Sequence, residues 1–288
     1  MNRLNLILRF TVFLLFIYPL CATSWVSGQL TGPEIIEKMR AGIDKIETLK
    51  FRMNKRERVG GKILTREQMC KYNRKPHKVY TKILAPSEGI EVLYVEGENK
   101  NKAYVYPNGF PYLTLSLDPY GSNMRKDNHH TVHEVGFEYI NDIVSDIAKK
   151  KKDNPEKYLK YLGDTVVHGR KCFKVLIDYP DFDFYPYKVK PGENITDIAY
   201  RLFISDFMIL EENNLKDYKD VKPGQVIKIP NAYARKTYLY IDQEYYLPVL
   251  QVMYDHKGLY AEYDFVDLEV NPKLAPEEFT KGYKEYNF

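Results

Sequence analysis

Tyr187-Lys-Val-Lys-Pro-Gly-Glu-Asn-Ile-Thr-Asp-Ile-Ala-Tyr-Arg-Leu202, then Ile204-Ser-Asp-Phe-Met-Ile-Leu-Glu-Glu-Asn-Asn-Leu215, then Val221-Lys-Pro-Gly-Gln-Val-Ile-Lys-Ile-Pro230, reads as one small unit with its own start and stop. A strand ends at Pro191-Gly192, and Asn194 stands where its side chain can cap a helix. Ile195, Ile198, Ala199 and Leu202 recur at helical spacing and predict one buried face. A second helix carries Leu210 and stops at Asn213-Asn214. Pro223-Gly224-Gln225 then turns into a last strand closing at Ile229-Pro230.

Outward from this unit the period changes to two. Upstream stands Gly169-Arg-Lys-Cys-Phe-Lys-Val-Leu-Ile-Asp-Tyr179; downstream, Ala234-Arg-Lys-Thr-Tyr-Leu-Tyr-Ile-Asp begins a run reaching Gly258. Strand runs at 172–179 and 237–242 would form a plain hairpin if residues 186–231 were absent. An insert at a hairpin tip leaves the parent register undisturbed when its own ends lie close together. Loop closure adds only about 0.6 kcal/mol per doubling of length. The expectation is therefore that an Asn-Gly turn can replace 186–231 and leave a folded parent.

Further strand runs are predicted at 51–59, 63–72, 79–84, 92–96, 103–106, 113–117, 158–165, 247–255 and 261–268. Gly60-Gly61, Pro86, Gly97 and Asn108-Gly109 punctuate them. Thr31-Gly-Pro-Glu34 starts a helix whose Ile35, Met39, Ile43 and Ile46 form an apolar stripe, with Gly42 weakening it slightly. A second helix is predicted from 135 to 149, with Val135, Ile140, Ile143, Val144 and Ile147 apolar. Helix, meandering strands, helix and more strands is an α+β order, and no parallel βαβ or nucleotide motif interrupts it.

The first 28 residues read as an export signal: Arg3 and Arg9, an apolar stretch from Phe10 to Leu20, then Val26-Ser27-Gly28 as the cut. Ala22-Thr23-Ser24 is the alternative cut. The apolar stretch is shorter than the ~20 residues that span a bilayer. Leu20 before Cys21 is bulkier than lipidation at that cysteine prefers. Removing the leader takes the formal net charge from +4 to +2, which leaves no electrostatic footprint for nucleic acid. Cys70 and Cys172 are read as buried free thiols, in a compartment that would permit a disulfide.

Along its whole length 187–230 resembles a LysM domain. The family's Asp-Thr-Leu is replaced here by Glu193-Asn194-Ile195, and the longer Glu193 is positioned to reshape the first loop. The resemblance implies binding of N-acetylglucosamine polymers such as peptidoglycan. It maps the groove to Gly192, Glu193, Asn194 and Ile195 on one side and Asn214, Leu215 and Lys216 on the other, with Ile195 or Leu215 as apolar floor. The remaining chain, 29–185 with 232–288, resembles the LolA/LolB lipoprotein-carrier superfamily, and an uncharacterised envelope family within it. Its start (an amphipathic helix running into a long strand) and Phe265-Val-Asp-Leu-Glu-Val-Asn-Pro-Lys-Leu-Ala-Pro-Glu-Glu-Phe279 at its end carry that likeness.

This second resemblance implies a curved antiparallel half-barrel packed on helices, with an inserted βααβ LysM module. It also implies an apolar hollow that takes acyl chains. Leu113, Leu115 and Leu117 alternate as such a hollow would need. A sheet packed on the 135–149 helix alternates identically, and that filled interior is the reading the alternation itself favours.

His129, His130, His133 and Glu134 are the one metal-like cluster. Their spacing matches no zinc pattern, and a polar loop entering a helix accounts for them. No nucleophile motif, cofactor motif or metal site is present in the sequence. Lys149, Lys150, Lys151 and Lys152 suit a helix C-terminus; the sharper reading is contact with an anionic membrane surface. The function expected is non-catalytic and periplasmic: the LysM module holds peptidoglycan, and the half-barrel holds a lipid, lipoprotein or protein partner. A pure wall-associated scaffold and a cell-wall hydrolase are the alternatives.

Overall fold

The structure is a computed structural model and describes residues 30–288. The leader, its cut after Gly28, and Cys21 lie outside the described residues. Among the described residues no helix is long and apolar enough to cross a membrane.

The first helix, α1 (Gly32–Ile43), starts as the sequence dictates. Thr31 accepts from the Glu34 amide, and Glu34 Oε2 accepts from the Thr31 amide at 2.7 Å. Ile35, Ile36, Met39 and Ile43 are buried on its inner face. Gly42 has a packing role instead of being a weak spot. A Cβ there would lie 2.4 Å from the Tyr245 carbonyl oxygen, so only glycine allows the approach.

Strands β1 (Thr48–Val59) and β2 (Lys62–Asn73) pair in unbroken register, from Thr48↔Asn73 to Val59↔Lys62. Gly60 and Gly61 turn between them at φ of +56° and +78°, the two-residue hairpin that needs both glycines. The meander continues through β3 (Lys78–Ala85), β4 (Glu91–Val95), β5 (Ala103–Tyr106) and β6 (Leu115–Leu117). Leu113 lies outside β6 and is 51 % exposed, so it does not share the inner face with Leu115 and Leu117. Tyr112, at φ +56°, breaks the extended backbone just before it.

A short helix α2 (Ser122–Arg125) and helix α3 (Glu138–Lys150) follow. α3 starts three residues later than its apolar pattern because Gly136 sits at φ +114°. Ile140, Ile143, Val144 and Ile147 are buried in the main core. After a one-turn helix α4 (Pro155–Tyr158) come β7 (Leu159–Val167) and β8 (Arg170–Asp178). The inserted unit is β9 (Phe184–Lys188), α5 (Ile195–Leu202), α6 (Asp206–Glu212) and β10 (Val226–Pro230). The chain closes with β11 (Lys236–Asp242), β12 (Pro248–Asp255) and β13 (Gly258–Val270).

Eleven strands form one antiparallel sheet in the order β6-β5-β4-β3-β2-β1-β13-β12-β11-β8-β7. Residues from β6, at one edge, through to β12 line a single hollow, so the sheet curves around it. Cys70 on β2 and Cys172 on β8 lie five strand steps apart, roughly 24 Å along the sheet. Both remain free, buried thiols, and burial pushes each up to about 11, where a thiol is unreactive.

β8 and β11 pair directly, from Asp178↔Lys236 to Cys172↔Asp242, so the insert leaves the parent hairpin in register. Its own ends meet, with Phe184 opposite Pro230. It is nonetheless not a free-standing tip. α6 is buried on two sides: Ile209 belongs to the module's small core, whereas Phe207 and Met208 belong to the core of the sheet domain. Ser205 Oγ lies 2.5 Å from the hydroxyl of fully buried Tyr260. Part of the insert's apolar surface is thus committed to its host, which the expectation of a removable module did not include.

Candidate functional site

The module's two loops place the expected groove residues in different environments. Gly192 is exposed at φ +83°, and a Cβ there would meet nothing within 4 Å. Glu193 does reshape the first loop. Its carboxylate accepts from the Tyr187 hydroxyl at 2.8 Å and the Lys190 amide at 2.9 Å, and pairs with Arg201 at 2.6 Å. Asn194 caps α5, accepting from the Asp197 amide at 3.0 Å. Ile195 is fully buried in the module's core, so its side chain cannot be the floor of a groove. Its amide instead donates to the Tyr218 carbonyl at 3.0 Å, tying the two loops together. Asn214 and Lys216 are exposed, and Leu215 packs half-buried on the module core.

The concavity between these loops is shifted from the expected set. It is lined by Asn194, Thr196, Asp197 and Tyr200 on the α5 side and by Tyr218 and Lys219 opposite. Asp118 and Tyr120 of the sheet domain form the remaining wall. Of the expected residues only Asn194 takes part. Thr196 and Tyr200 are spaced i, i+4 on the polar side of α5, a signal legible beside its apolar stripe. Nothing in the sequence could have brought Asp118 and Tyr120 to them.

The second concavity is the hollow of the sheet, about 490 Å³. Phe51, Met53, Ile83, Val92, Leu115 and Ile140 are among its apolar walls, and α3 covers it without filling it. The filled interior favoured by alternation is therefore corrected: Val144 and Ile147 of α3 are buried in the main core away from the hollow, while Tyr139, Ile140 and Ile143 form part of its wall. Polar groups gather in one part of the wall. Asn128 Oδ1 accepts from Lys55 at 2.8 Å and from Arg66 at 2.5 Å. Lys55 pairs with Glu57 at 3.0 Å, and Tyr263 donates to Glu57 at 2.8 Å. Burial alone would raise Glu57, but Lys55, His129 and His130 outweigh it and hold the carboxyl at about 2.

The histidines are not a solvated loop. His129 is 2 % exposed and stacked between Phe207 and Tyr260, with centroids at 4.1 and 4.4 Å. Its Nε2 donates to the Arg58 carbonyl at 2.9 Å, which leaves Nδ1 buried without a partner. His130 meets Glu134 at 3.4 Å and the Tyr233 hydroxyl at 3.0 Å. His133 stacks on Tyr120 at 4.9 Å. Each ring has a different aromatic neighbour, and no cluster among the described residues could hold a metal ion.

Burial, with Nδ1 facing no acceptor, lowers His129 from 6.5 to about 4. Unfolded chains take up that proton first, so this residue's contribution is intact above pH 6.5 and is lost as pH falls towards 4. The gap corresponds to ~3 kcal/mol at most. His130 is raised: burial opposes the shift, but Glu134 outweighs it, so its contribution runs the other way and fades as pH rises. Thermal melts from pH 7.5 to 4.5 are expected to fall less steeply in His129→Phe than in wild type. Parallel slopes would show that His129 is not the acid-sensitive group.

The lysine run is partly engaged. Lys150 pairs with Asp146 at 2.7 Å, and Lys151 lies over the rings of Tyr158 and Tyr179. It does not present four equivalent charges to a surface.

Sheet, hollow and inserted unit define the class: a curved antiparallel half-barrel on helices, carrying a LysM domain inside one of its hairpins. The chain belongs to the family described as Protein of unknown function (DUF1571), matched over residues 46–203, and its LysM domain is matched over 187–230.

Among curated proteins it is similar to an endolysin of Bacillus phage B103, 25 % identical over 167 residues. The match covers 56 % of this chain and 56 % of the endolysin, so the chain spans little more than half that relative's length. Solved structures similar to it include a LolA superfamily protein from Nitrosomonas europaea, with TM-score 0.35, 10 % identity, and 88 % of this chain and 100 % of that chain covered. Another is the lipoprotein LppX of Mycobacterium tuberculosis, with TM-score 0.41, 10 % identity and coverage of 84 % and 98 %. LprF from Mycobacterium bovis gives TM-score 0.40, 8 % identity and coverage of 85 % and 95 %.

Proposed function

We propose that this is an exported, non-catalytic binding protein of the bacterial envelope, with two ligands on one chain. The LysM domain holds an N-acetylglucosamine glycan such as peptidoglycan, and the hollow holds the apolar chain of a lipid or lipoprotein. The observation that carries the second half is the hollow itself. Its volume of about 490 Å³ lies within the range of ligand pockets, roughly 300–1,000 Å³. Its walls are apolar, with a few convergent polar groups. Lys55 and Arg66, joined at Asn128, give an anionic head group a place to settle.

Two measurements test the two halves. Native mass spectrometry of protein purified from its own envelope is expected to show a bound lipid, lost in Leu115→Trp, whose ring would occupy the hollow. An empty wild-type spectrum, also after reconstitution with lipid, would leave only the scaffold reading. For the glycan, the full chain is expected to sediment with purified peptidoglycan and to be competed off by N-acetylglucosamine oligomers. A bulky replacement of Gly192 separates two placements of the glycan: weaker sedimentation puts it at the first loop, as the family resemblance implies, and unchanged sedimentation leaves it to the cleft lined by Asn194, Thr196 and Tyr200. The replacement also strains a backbone at φ +83°, at roughly 1–2 kcal/mol, so a thermal melt must accompany it.

The endolysin likeness is the observation that favours a hydrolase instead. Release of soluble fragments from peptidoglycan by the purified chain would establish that reading over binding alone.

A further inference from the structure

The cleft between the LysM loops is closed by a part of the chain that is not LysM. Asp118 and Tyr120 lie between β6 and α2, in a tight turn where the Gly121 amide donates to the Asp118 carbonyl at 2.8 Å. The Tyr120 amide donates to the Asp118 carboxylate at 3.0 Å. One face of the Tyr120 ring is covered by His133, at 4.9 Å and 17°. His133 is itself braced edge-on by Tyr94 at 4.8 Å. The ring is thereby fixed, yet it remains 37 % exposed and lines the cleft.

The spacing between the two walls is fixed as well. Tyr200 of α5 donates to Glu134 at 2.5 Å. Arg125 donates to Thr196 at 2.9 Å and to Asp206 at 2.8 Å, and its guanidinium lies 3.3 Å from the centre of the Tyr218 ring. Tyr218 lines the cleft while only 8 % exposed, and its hydroxyl proton has no acceptor among the described residues.

An N-acetylated pyranose has the matching chemistry: one apolar C–H face, several hydroxyls, an amide N–H and an amide carbonyl. The Tyr120 ring offers a flat partner for the C–H face. Asp118 and Asp197 accept from hydroxyls or the amide N–H, while exposed Lys219 donates to its oxygens. We propose that the half-barrel completes the glycan site, with Tyr120 as its stacking platform and Asp118 as an acceptor, so that one sugar unit is held between the two modules. This rests on the reading that the LysM domain binds N-acetylglucosamine glycans. It removes the main weakness of a single LysM copy, which is the shallowness of a one-sided contact.

The test is calorimetric titration of the full chain with tetra-N-acetylchitotetraose. Tyr120→Ala is expected to bind about tenfold more weakly, and Tyr120→Phe, which keeps the ring, within about twofold of wild type. A direct readout uses Tyr120→Trp in the chain from Gln29 onward, which carries no other tryptophan. Its emission is expected to shift on saturation with the tetrasaccharide. That shift reports contact even if Tyr120→Ala proves poorly folded. If wild type binds, Tyr120→Ala binds equally and the emission stays constant, the composite site is overturned and the LysM reading stands. If wild type binds neither the tetrasaccharide nor peptidoglycan, the LysM reading fails and this inference fails with it.

Discussion

Replacing residues 186–231 with an Asn-Gly turn is expected to yield a chain that aggregates or melts without a cooperative transition. Backbone geometry alone predicts the opposite, since β8 and β11 are already paired and a short turn would close them. Side chains decide otherwise. Phe207 and Met208 of α6 are 7 % and 1 % exposed and sit in the host's core, Phe207 stacked on His129. Burial of each contributes ~1.5–3 kcal/mol. Excision also strips Arg125 of Asp206, Glu134 of Tyr200, and Tyr260 of Ser205. Against a total stability of ~5–15 kcal/mol for an ordinary domain, these losses are decisive. Phe207→Ala separates the packing effect from the deletion, because it touches no strand pairing. It is expected to cost ~3 kcal/mol or more, read by chemical denaturation. A cooperative excised protein melting within a few degrees of wild type would show that the α6 contact contributes little, and that the module is an autonomous insert.

Local patterns wrote most of this fold. Period two, broken by glycine and proline, placed the strands of the sheet to within a few residues. The Thr31–Glu34 and Asn194–Asp197 capping pairs fixed the starts of α1 and α5, because a cap is a short-range chemical event. What failed was long-range. Alternation at Leu115 and Leu117 cannot distinguish a hollow from a packed helix, since the same side chains face either. The Phe207-Met208-Ile209-Leu210 run was a missed signal: four successive apolar residues on one short helix mean burial on both sides. Of the candidate glycan cleft only Asn194 was expected from the sequence; Thr196, Asp197 and Tyr200 stand beside it on α5, Tyr218 and Lys219 follow some 25 residues on, and only Asp118 and Tyr120 come from a segment about 75 residues away, which no local pattern could bring to it. The histidines were misjudged for a related reason. A His-rich loop looks polar in sequence, and only the fold supplies the aromatic faces that bury it.

Arg125→Met is expected to be the most damaging single substitution outside the apolar cores. Arg125 and Asp206 are 2 % and 9 % exposed and 2.8 Å apart, and this pair joins the half-barrel to the LysM domain. Burial already raises Asp206 above its ordinary value, against the pull of Arg125. Without the guanidinium a buried carboxylate is left with only Thr196 as side-chain donor among the described residues, at 3.2 Å. Breaking one side of such a pair typically costs ~3–5 kcal/mol, far more than replacing both partners by neutral groups. Arg125→Met with Asp206→Asn should therefore recover much of the stability lost in Arg125→Met alone. The pH dependence has a definite sign. With the cation gone, the carboxyl's folded value rises further, and a raised acid contributes stability at low pH that is lost as pH rises through it. The deficit of Arg125→Met relative to wild type should shrink as the pH is lowered from 7 towards 5, and this dependence should vanish in the double variant. Denaturation midpoints of the three proteins across that range measure both effects. A deficit independent of pH and unrelieved by Asp206→Asn would mean that Arg125 acts through its stacking on Tyr218, with the ion pair secondary.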